Sequence, residues 1–317
     1  MVKNVSDLLE SYRKNKSVKE ACLLRFPTEP GEAIYNPSTP FTLGGQCMIA
    51  GRSEKDFRSQ IKFFSVEGEK LLPLNTKTEL KLEDPFVTQI GDELFVGGVR
   101  LEYDSPEDEA DFRYSAFITD FYRGKSLDSL RRFAVGPRNM KDIRFVSMPD
   151  GKIAVCTRPH GLEKKYGFTA TIGFTVLDDI GEFNAETIAN APIFTDLFAE
   201  KEWGGANQLF VLKNGLIGVL GHIACGEYDG DVYVRHYYSM AFAVDTVSRS
   251  HTQPKIICER ADFPPTPARN AGLEDIVFTA GLERYQNGTA RLYTGLSDAA
   301  AGCALIPDPF AEFEEQI

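Results

Sequence analysis

Five segments of this 317-residue chain repeat one pattern, and this repeat constrains the fold more than any other feature. Each segment begins with a glycine typical of a turn, continues as a short apolar run, and ends seven residues later. Three of the glycines follow Asp or Asn, and that dipeptide is the strongest short-range signal for a β-hairpin. The segments are residues 45–52, 91–98, 151–158, 215–222 and 288–295.

The strand that enters each hairpin also begins alike, with Asn or Asp followed by apolar residues. These leading residues are Asn36, Asp84, Asp142, Asn207 and Asp275, and the last is separated from its turn glycine by a longer connection. Repeated strand–turn–strand units of about blade size are typical of a β-propeller. The pattern therefore predicts an all-β fold, a five-bladed β-propeller with a short N-terminal helix.

The same pattern predicts one domain over residues 1–317, although the length also allows two. Residues 1–30 are expected to form a helix and a lead-in, residues 31–310 the propeller, and residues 311–317 a tail. The predicted helix is capped by Ser6, and Val5, Leu8, Leu9 and Tyr12 lie on one of its faces.

The charge and composition of the chain limit which classes of partner it can bind. The chain has 35 Lys and Arg against 46 Asp and Glu, a net charge of −11, which argues against nucleic acid or an anionic membrane as a partner. It lacks an apolar run of about 18 residues and the apolar core of a signal peptide. Six scattered Cys without a CxxC motif, and four His, favour free thiols, a cytoplasmic location and no metal site.

The hairpin geometry brings chemically useful residues together, because the start of the first strand lies beside the end of the second. The expected pairs are Asn36 with Arg52, Asp84 with Gly98, Asp142 with Arg158, Asn207 with His222, and Asp275 with Gly295. A rim of carboxylates, amides, arginines and a histidine suits a polyol that carries an anionic group. Taken singly, each residue is more typical of a turn or a surface ion pair than of a site, and the shared offset is what favours a site.

The motifs around these residues resemble the glycosyltransferase family 108 mannosyltransferase/phosphorylases, relatives of the glycoside hydrolase family 130 β-mannoside phosphorylases. The resemblance runs from about residue 35 to about residue 309. Phe86, and the order Gly221-His222, depart from the family 130 pattern and favour family 108. The matching pieces are Tyr35-Asn36-Pro37 with Arg52, Glu83-Asp84-Pro85-Phe86, Lys141-Asp142 with Arg158-Pro159, Gly221-His222, and Asp275-Ile276-Val277-Phe278 with Gly281.

This resemblance implies an inverting enzyme that phosphorolyses or forms β-1,2-mannosidic linkages, with mannose 1-phosphate or GDP-mannose as donor. Its implied partners are a mannose-containing oligosaccharide and phosphate or a sugar nucleotide, without a further cofactor. Asp84 is the implied proton donor. Asn36, Arg52, Asp142 and Asp275 are expected to bind the sugar, and Arg144, Arg158 and His222 the phosphate. Asp142 alternatively orients an arginine.

Two other functions remain open at this point. A glycoside hydrolase on the same fold, a β-mannosidase or a furanosidase-like enzyme, would work without phosphate and would tend to use paired carboxylates. A non-catalytic propeller would bind a partner through an exposed apolar patch. The acidic stretch at residues 102–111 is expected to be a solvated loop, and alternatively it borders an acceptor site.

Overall fold

The computed structural model describes residues 2–315 of the chain, and β-strands dominate it. The first ten strands are β1 (Glu20–Leu24), β2 (Glu32–Tyr35), β3 (Phe41–Leu43), β4 (Gln46–Lys55), β5 (Arg58–Glu67), β6 (Lys70–Leu74), β7 (Glu83–Ile90), β8 (Glu93–Glu102), β9 (Ala116–Gly124) and β10 (Arg131–Val135). The next ten are β11 (Arg144–Ser147), β12 (Ile153–Thr157), β13 (Gly173–Leu177), β14 (Trp203–Val211), β15 (Ile217–Asp229), β16 (Val232–Val244), β17 (Lys255–Cys258), β18 (Asp275–Arg284), β19 (Thr289–Leu296) and β20 (Ala300–Pro307).

The helices are short and lie between the strands or at the ends of the described chain. The α-helices are α1 (Val5–Lys14), α2 (Pro106–Ala110), α3 (Glu163–Tyr166), α4 (Ala185–Ala189) and α5 (Ala311–Glu314). Single 3₁₀ turns occupy Leu127–Ser129, Ile180–Glu182 and Arg260–Asp262. No helix within residues 2–315 has the length and apolar character needed to cross a membrane.

The strands of the described residues form four sheets. Sheet I holds β2 to β6, sheet II β7 to β10, sheet III β11 to β13, and sheet IV β14 to β20 together with β1. Sheet IV contains the fourth and fifth repeats, because β16 and β18 pair in parallel through His236 with Asp275 and Tyr237 with Ile276. The pairing thus gives four sheets for the five repeated hairpins.

All five predicted hairpins are confirmed. Each joins two antiparallel strands, namely β3–β4, β7–β8, β11–β12, β14–β15 and β18–β19. Every predicted turn glycine has a positive φ, between 60° and 88°. A residue with a side chain rarely adopts that conformation, so the glycines specify where each pair of strands reverses.

The N-terminal helix is confirmed, but its cap is not Ser6. Helix α1 begins two residues earlier than a Ser6 cap implies, and the Asn4 side chain accepts a hydrogen bond from the Asp7 main-chain N–H at 2.9 Å. Val5, Leu8 and Tyr12 are buried against the residues of sheet IV. Strand β1 then pairs with β20, so the two ends of the described chain meet in one sheet.

Aromatic side chains fill the space between sheets II and III. Phe86, Phe95, Phe121 and Phe145 are buried there together with Phe183, and the ring centroids of Phe121 and Phe145 each lie 4.8 Å from that of Phe183. Buried aromatic pairs at this spacing add packing energy beyond the loss of exposed area. These apolar contacts therefore pack sheets II and III against each other.

The six cysteines are free, as the sequence predicts, and they differ in burial. Cys156 is buried and Cys225 half-buried, as expected from their apolar neighbours, but Cys47 is exposed. Cys47 is the second residue after the two-residue turn of the β3–β4 hairpin, before the buried part of β4 begins. Residues 316 and 317 of the expected tail lie outside the described residues.

Candidate active site

Three of the residues that lead the repeats share an unusual backbone conformation. Asn36, Asp84 and Asp142 have φ values of 45°, 50° and 55°, and all three side chains are buried. Asn and Asp tolerate this left-handed region better than most residues, yet it still carries strain. Its repetition at one position of three units is an observed outlier of the kind that occurs at functional sites.

Asp84 lies where β7 departs from regular pairing, because the register with β8 shifts between Glu83 and Phe86. Its carboxylate accepts a hydrogen bond from Asn36 Nδ2 at 2.7 Å and one from Arg52 Nη1 at 3.1 Å. Burial raises the pKa of Asp84. The charges of Arg52 and Lys141 and the hydrogen bond from Asn36 lower it by more, so the pKa lies below its ordinary value. Asp84 therefore carries a negative charge at neutral pH.

Arg52 connects Asp84 to two other carboxylates. Its Nη2 lies 2.7 Å from Glu83 Oε1 and 2.9 Å from Glu54 Oε2. Burial raises the pKa of Glu83 above its ordinary value, against the opposing charge of Arg52. Two adjacent carboxyl groups thus have pKa values shifted in opposite directions, an arrangement that separates acid and base roles in enzymes.

Asp142 binds a group of cations. Its Oδ2 accepts a hydrogen bond from Arg158 Nη1 at 3.0 Å, and its Oδ1 lies 3.6 Å from Arg144 Nη2, an ion pair without a hydrogen bond. Burial raises the pKa of Asp142, but Arg158, His222 and Arg144 hold it far below the ordinary value. The carboxylate is charged, and it keeps the arginines in place.

Two histidines near Arg158 are neutral. Burial, followed by the positive charge of Arg158, lowers the pKa of His222 to about 3, and the same two causes lower the pKa of His160 to about 3. His222 Nδ1 lies 2.8 Å from Asn207 Oδ1, which leaves Nε2 at 4.0 Å from Asp142. His160 Nε2 is buried and has no hydrogen-bond partner among the described residues.

The structure brings seven of the eight predicted residues into two groups, one around Asp84 and one around Asp142. Asn36 and Arg52 both contact Asp84, and Arg144, Arg158 and His222 surround Asp142. The charges of Asp84 and Asp142 also act on each other. Two predicted pairs, Asp142 with Arg158 and Asn207 with His222, form direct contacts.

Asp275 is the exception, and its expected pairing with Gly295 is wrong. Gly295 pairs with Phe278, while the Asp275 carboxylate accepts from Tyr238 at 3.0 Å and lies 2.7 Å from His236 Nδ1. The register of the fifth hairpin shifts between Thr279 and Gly281, at the same offset from the turn glycine as the shift between Ala206 and Gln208 in the fourth hairpin. By this register Ala280 is the residue of the fifth repeat that is equivalent to Asn207, and the longer connection in the fifth repeat hid it.

The two glycines at the end of the repeat make room for protein atoms. A Cβ added to Gly295 would lie 1.6 Å from Asn36 Oδ1. A Cβ at Gly98 would lie 2.9 Å from the Glu83 carbonyl oxygen. Gly295 therefore allows the Asn36 side chain of the first repeat to approach, whereas Gly98 allows the close approach of the Glu83 main chain within its own hairpin.

Sequence reasoning gave no role to three residues that belong to these two groups. Lys141 acts on the charges of Asp84, Asp142 and both histidines, and His160 lies two residues beyond Arg158. Asp298 has its pKa raised by burial and then by Asp84. The position of Lys141 directly before Asp142 could have indicated that Lys141 belongs to the site. The loop that carries Asp298 contains no motif that would have done so.

Arg144 is more engaged than expected for a phosphate ligand. Its Nε and Nη1 donate to the main-chain oxygens of Asn207 and Ile143, each at 3.0 Å, and its guanidinium lies 5.2 Å from the Phe86 ring centroid. Arg158 donates a hydrogen bond from Nε to the Gly204 main-chain oxygen at 2.7 Å and another from Nη1 to Asp142. Within residues 2–315, no group of three or more His, Cys, Asp or Glu is arranged to hold a metal ion.

Comparison with known proteins identifies the family of this chain and several similar structures. Residues 10–312 match a family described as a protein of unknown function (DUF1861). Among solved structures, the mannose phosphorylase MPT-4 of Leishmania mexicana, in complex with phosphate ion, is 34% identical with a TM-score of 0.86, over 96% of this chain and 93% of that one. The GDP-Man-dependent mannosyltransferase MPT-1 of Leishmania mexicana is 30% identical with a TM-score of 0.86, over 98% and 96%.

A more distant structure shares the fold. The β-1,2-mannobiose phosphorylase of Listeria innocua is 14% identical with a TM-score of 0.60, over 92% of this chain and 94% of that one. A comparison with curated protein sequences gave no match. The matches to both Leishmania proteins extend over nearly the whole chain and confirm the resemblance inferred from the motifs. The chain belongs to the DUF1861 family, and it also belongs to one family with the mannose phosphorylase MPT-4 and the mannosyltransferase MPT-1 of Leishmania mexicana.

Proposed function

We propose that the protein is an inverting enzyme that phosphorolyses or forms β-1,2-mannosidic linkages, with mannose 1-phosphate or GDP-mannose as donor. In this proposal residues 31–310 form a single five-bladed propeller, and sheet IV supplies two of its blades. The observation that carries the proposal is the position of Asp84, a buried carboxylate held by Asn36 and Arg52 beside a cluster of cations. The activities of MPT-4 and MPT-1 support it.

In phosphorolysis, a phosphate oxygen forms a bond to the anomeric carbon while the bond to the leaving oxygen breaks. The leaving oxygen takes up the proton that Asp84 supplies, directly or through a sugar hydroxyl, and mannose 1-phosphate is released. In synthesis the steps run backwards, and the Asp84 carboxylate accepts the proton of the acceptor hydroxyl. The lowered pKa of Asp84 without substrate suits the synthetic direction.

Phosphate binding would change that balance. Lys141 lowers the pKa of Asp84 through its charge, and a phosphate dianion beside Lys141 would offset this effect. Asp84 would then be protonated more readily when phosphate is present, which is when phosphorolysis requires a proton. Phosphate binding would thus raise the pKa of Asp84 through Lys141, whose charge acts on both.

We assign the anion to Arg158, Lys141, His222 and His160. Among the described residues, Arg158 retains one guanidinium nitrogen and His160 its Nε2 without a hydrogen-bond partner. A neutral histidine donates to phosphate through its single N–H without adding a titrating charge near pH 7. For His222 that N–H must be at Nε2, which requires Asn207 to present its amide nitrogen to Nδ1. Arg144 donates through Nε and Nη1 to main-chain oxygens, and its Nη2 faces Asp142 at 3.6 Å, so in this scheme it orients Asp142 rather than contacting the phosphate.

The sugar hydroxyls are assigned to polar atoms that have no partner in the protein. Asn36 Oδ1 and Asp142 Oδ1 are buried acceptors without a hydrogen bond among the described residues. A buried polar atom of this kind is costly unless a ligand or water satisfies it. Arg52 holds Asp84 in place, and Asp275 would reach the substrate only through His236 or Tyr238.

The test is incubation with β-1,2-mannobiose and phosphate, with mannose 1-phosphate measured as product. Asp84→Asn should abolish its release, whereas Asp231→Asn, an exposed carboxylate on the β15–β16 turn, should leave it unchanged. Retained activity in Asp84→Asn together with its loss in Glu83→Gln would move the proton donor to Glu83. Release of free mannose without phosphate would establish the hydrolase instead, and no product from mannobiose or GDP-mannose would refute the proposal.

A further inference from the structure

A groove with a volume of about 600 Å³ opens beside Glu83. Its walls come from sheets I and II and their connections, and they include Phe57, Ser59 and Tyr103. This size lies within the range of roughly 300–1,000 Å³ that is typical of small-ligand pockets. Tyr103 belongs to the acidic stretch at residues 102–111, to which the mechanism gives no role.

The charges that line the groove cancel. Its acidic residues are Glu29, Glu32, Glu79, Glu83 and Glu109, and its basic residues are Lys55, Arg58, Lys62, Lys81 and Arg100. Lys62 lies 2.6 Å from Glu32, and Lys55 lies 3.2 Å from Glu29, so part of this charge is already paired. A groove without net charge suits an uncharged polar ligand better than a nucleotide diphosphate, which needs an excess of cations.

Phe57 stands out in this groove. It follows Asp56 in the two-residue turn between β4 and β5, and both residues have positive φ, 50° and 60°. Glycine is the preferred second residue of such a turn, so an aromatic side chain is strained there. Phe57 is nevertheless 60% exposed, and its centroid lies 5.3 Å from that of Phe112 and 5.7 Å from the Arg269 guanidinium.

Direct contacts connect this aromatic group to the catalytic carboxylate. Arg269 Nη2 lies 2.8 Å from Glu54 Oε1, Glu54 binds Arg52, and Arg52 binds Asp84. The groove is built by sheets I and II, whereas the residues assigned to the anion belong to sheet III, the segments that flank it, and sheet IV. Asp84 contacts Arg52 of sheet I and is affected by the charge of Lys141, which precedes β11 of sheet III, so it links the two groups. An inverting displacement requires the leaving group and the nucleophile on opposite sides of the anomeric carbon.

We propose that this groove is the acceptor subsite, in which Phe57 and Tyr103 pack against the rings of an uncharged mannose oligosaccharide beyond the reacting linkage. The inference rests on the proposed function, and it excludes the nucleotide of a GDP-mannose donor from the groove. Phe57 would then set the preference for chain length rather than the rate of the chemical step.

The experiment compares wild type with Phe57→Ala, and with Tyr228→Ala as a matched exposed aromatic on the β15–β16 hairpin. Phe57→Ala should raise the KM for β-1,2-mannotetraose roughly 3- to 10-fold, the range expected for one aromatic contact. The KM for phosphate, and kcat, should stay within twofold of wild type. Unchanged mannotetraose kinetics in Phe57→Ala would overturn the inference.

Calorimetric titration separates this inference from the proposed function. Mannotetraose should bind wild type and Tyr228→Ala equally and Phe57→Ala more weakly, even if no variant releases mannose 1-phosphate. Equal binding by all three proteins, or no binding by any, would overturn the inference. A loss of GDP-mannose affinity in Phe57→Ala would also overturn it, because the groove would then hold the donor.

Discussion

Gly295→Ala tests directly how the first and fifth repeats fit together around Asp84. The added Cβ would lie 1.6 Å from Asn36 Oδ1 and 2.8 Å from Asn36 Cγ, so the Asn36 side chain must leave its position. That movement breaks the 2.7 Å hydrogen bond to Asp84. A hydrogen bond to a charged group contributes about 1.5–3 kcal/mol, and overpacking a filled site costs about 1–3 kcal/mol.

We therefore expect Gly295→Ala to lower the free energy of unfolding by roughly 3–5 kcal/mol. The matched variant is Asn36→Gly, which removes the obstructing side chain and suits the φ of 45° at that position. In the double variant the added Cβ still lies 3.1 Å from the residue 36 main-chain nitrogen, a contact that a small shift relieves. The double variant should then be within about 1 kcal/mol of Asn36→Gly alone.

Urea unfolding followed by Trp203 fluorescence, for wild type, both single variants and the double variant, measures this coupling. The coupling energy between residues 36 and 295 should be at least about 2 kcal/mol, a value typical of residues in direct contact. The reasoning fails if Gly295→Ala is as stable as wild type, or if the two substitutions are additive in the double variant.

Two further predictions concern the buried charges. Asp142→Asn leaves Arg158 without its buried partner at 3.0 Å and should destabilise the protein by about 3–5 kcal/mol in urea unfolding; a wild-type midpoint would contradict this. The pKa of His222 is about 3 in the folded protein and 6.5 ordinarily, so the unfolded chain binds more protons between these values. Stability should accordingly fall as the pH drops from 6 to 4, by up to about 1.4 kcal/mol per pH unit for this residue. His222→Gln should make the measured slope shallower, and an unchanged slope would show that His222 is protonated in the folded state.

Local patterns were sufficient to predict the hairpins and most of the site. The turn glycines and the leading Asn or Asp residues specify conformations within a few residues, so Asn36, Asp84 and Asp142 could be placed in equivalent positions. Asp275 was misplaced because the register of β18 depends on a bulge near Gly281. A bulge inserts a residue without leaving a sequence signature as clear as a turn glycine.

Two other features lay beyond sequence reasoning because they depend on burial and long-range contact. Lys141 enters the site through its charge on Asp84 and Asp142, which a motif alone does not reveal. The cap of α1 is Asn4 rather than Ser6, since the helix begins where Val5 meets Glu202, 197 residues away, and not where the local signal is strongest.

The pairing of β1 with β20 makes one contact of the fold dependent on both ends of the described chain. Cys22 and Cys303 are opposite each other in this pair, 281 residues apart in sequence. Contacts over so long a separation form late and slowly, because the closing segment must first lose its freedom. Until β1 arrives, β20 is an unpaired edge that can accept a strand from another molecule. Because β1 is made long before β20, both edges stay open to mispairing during synthesis until β20 has been made and has paired with β1.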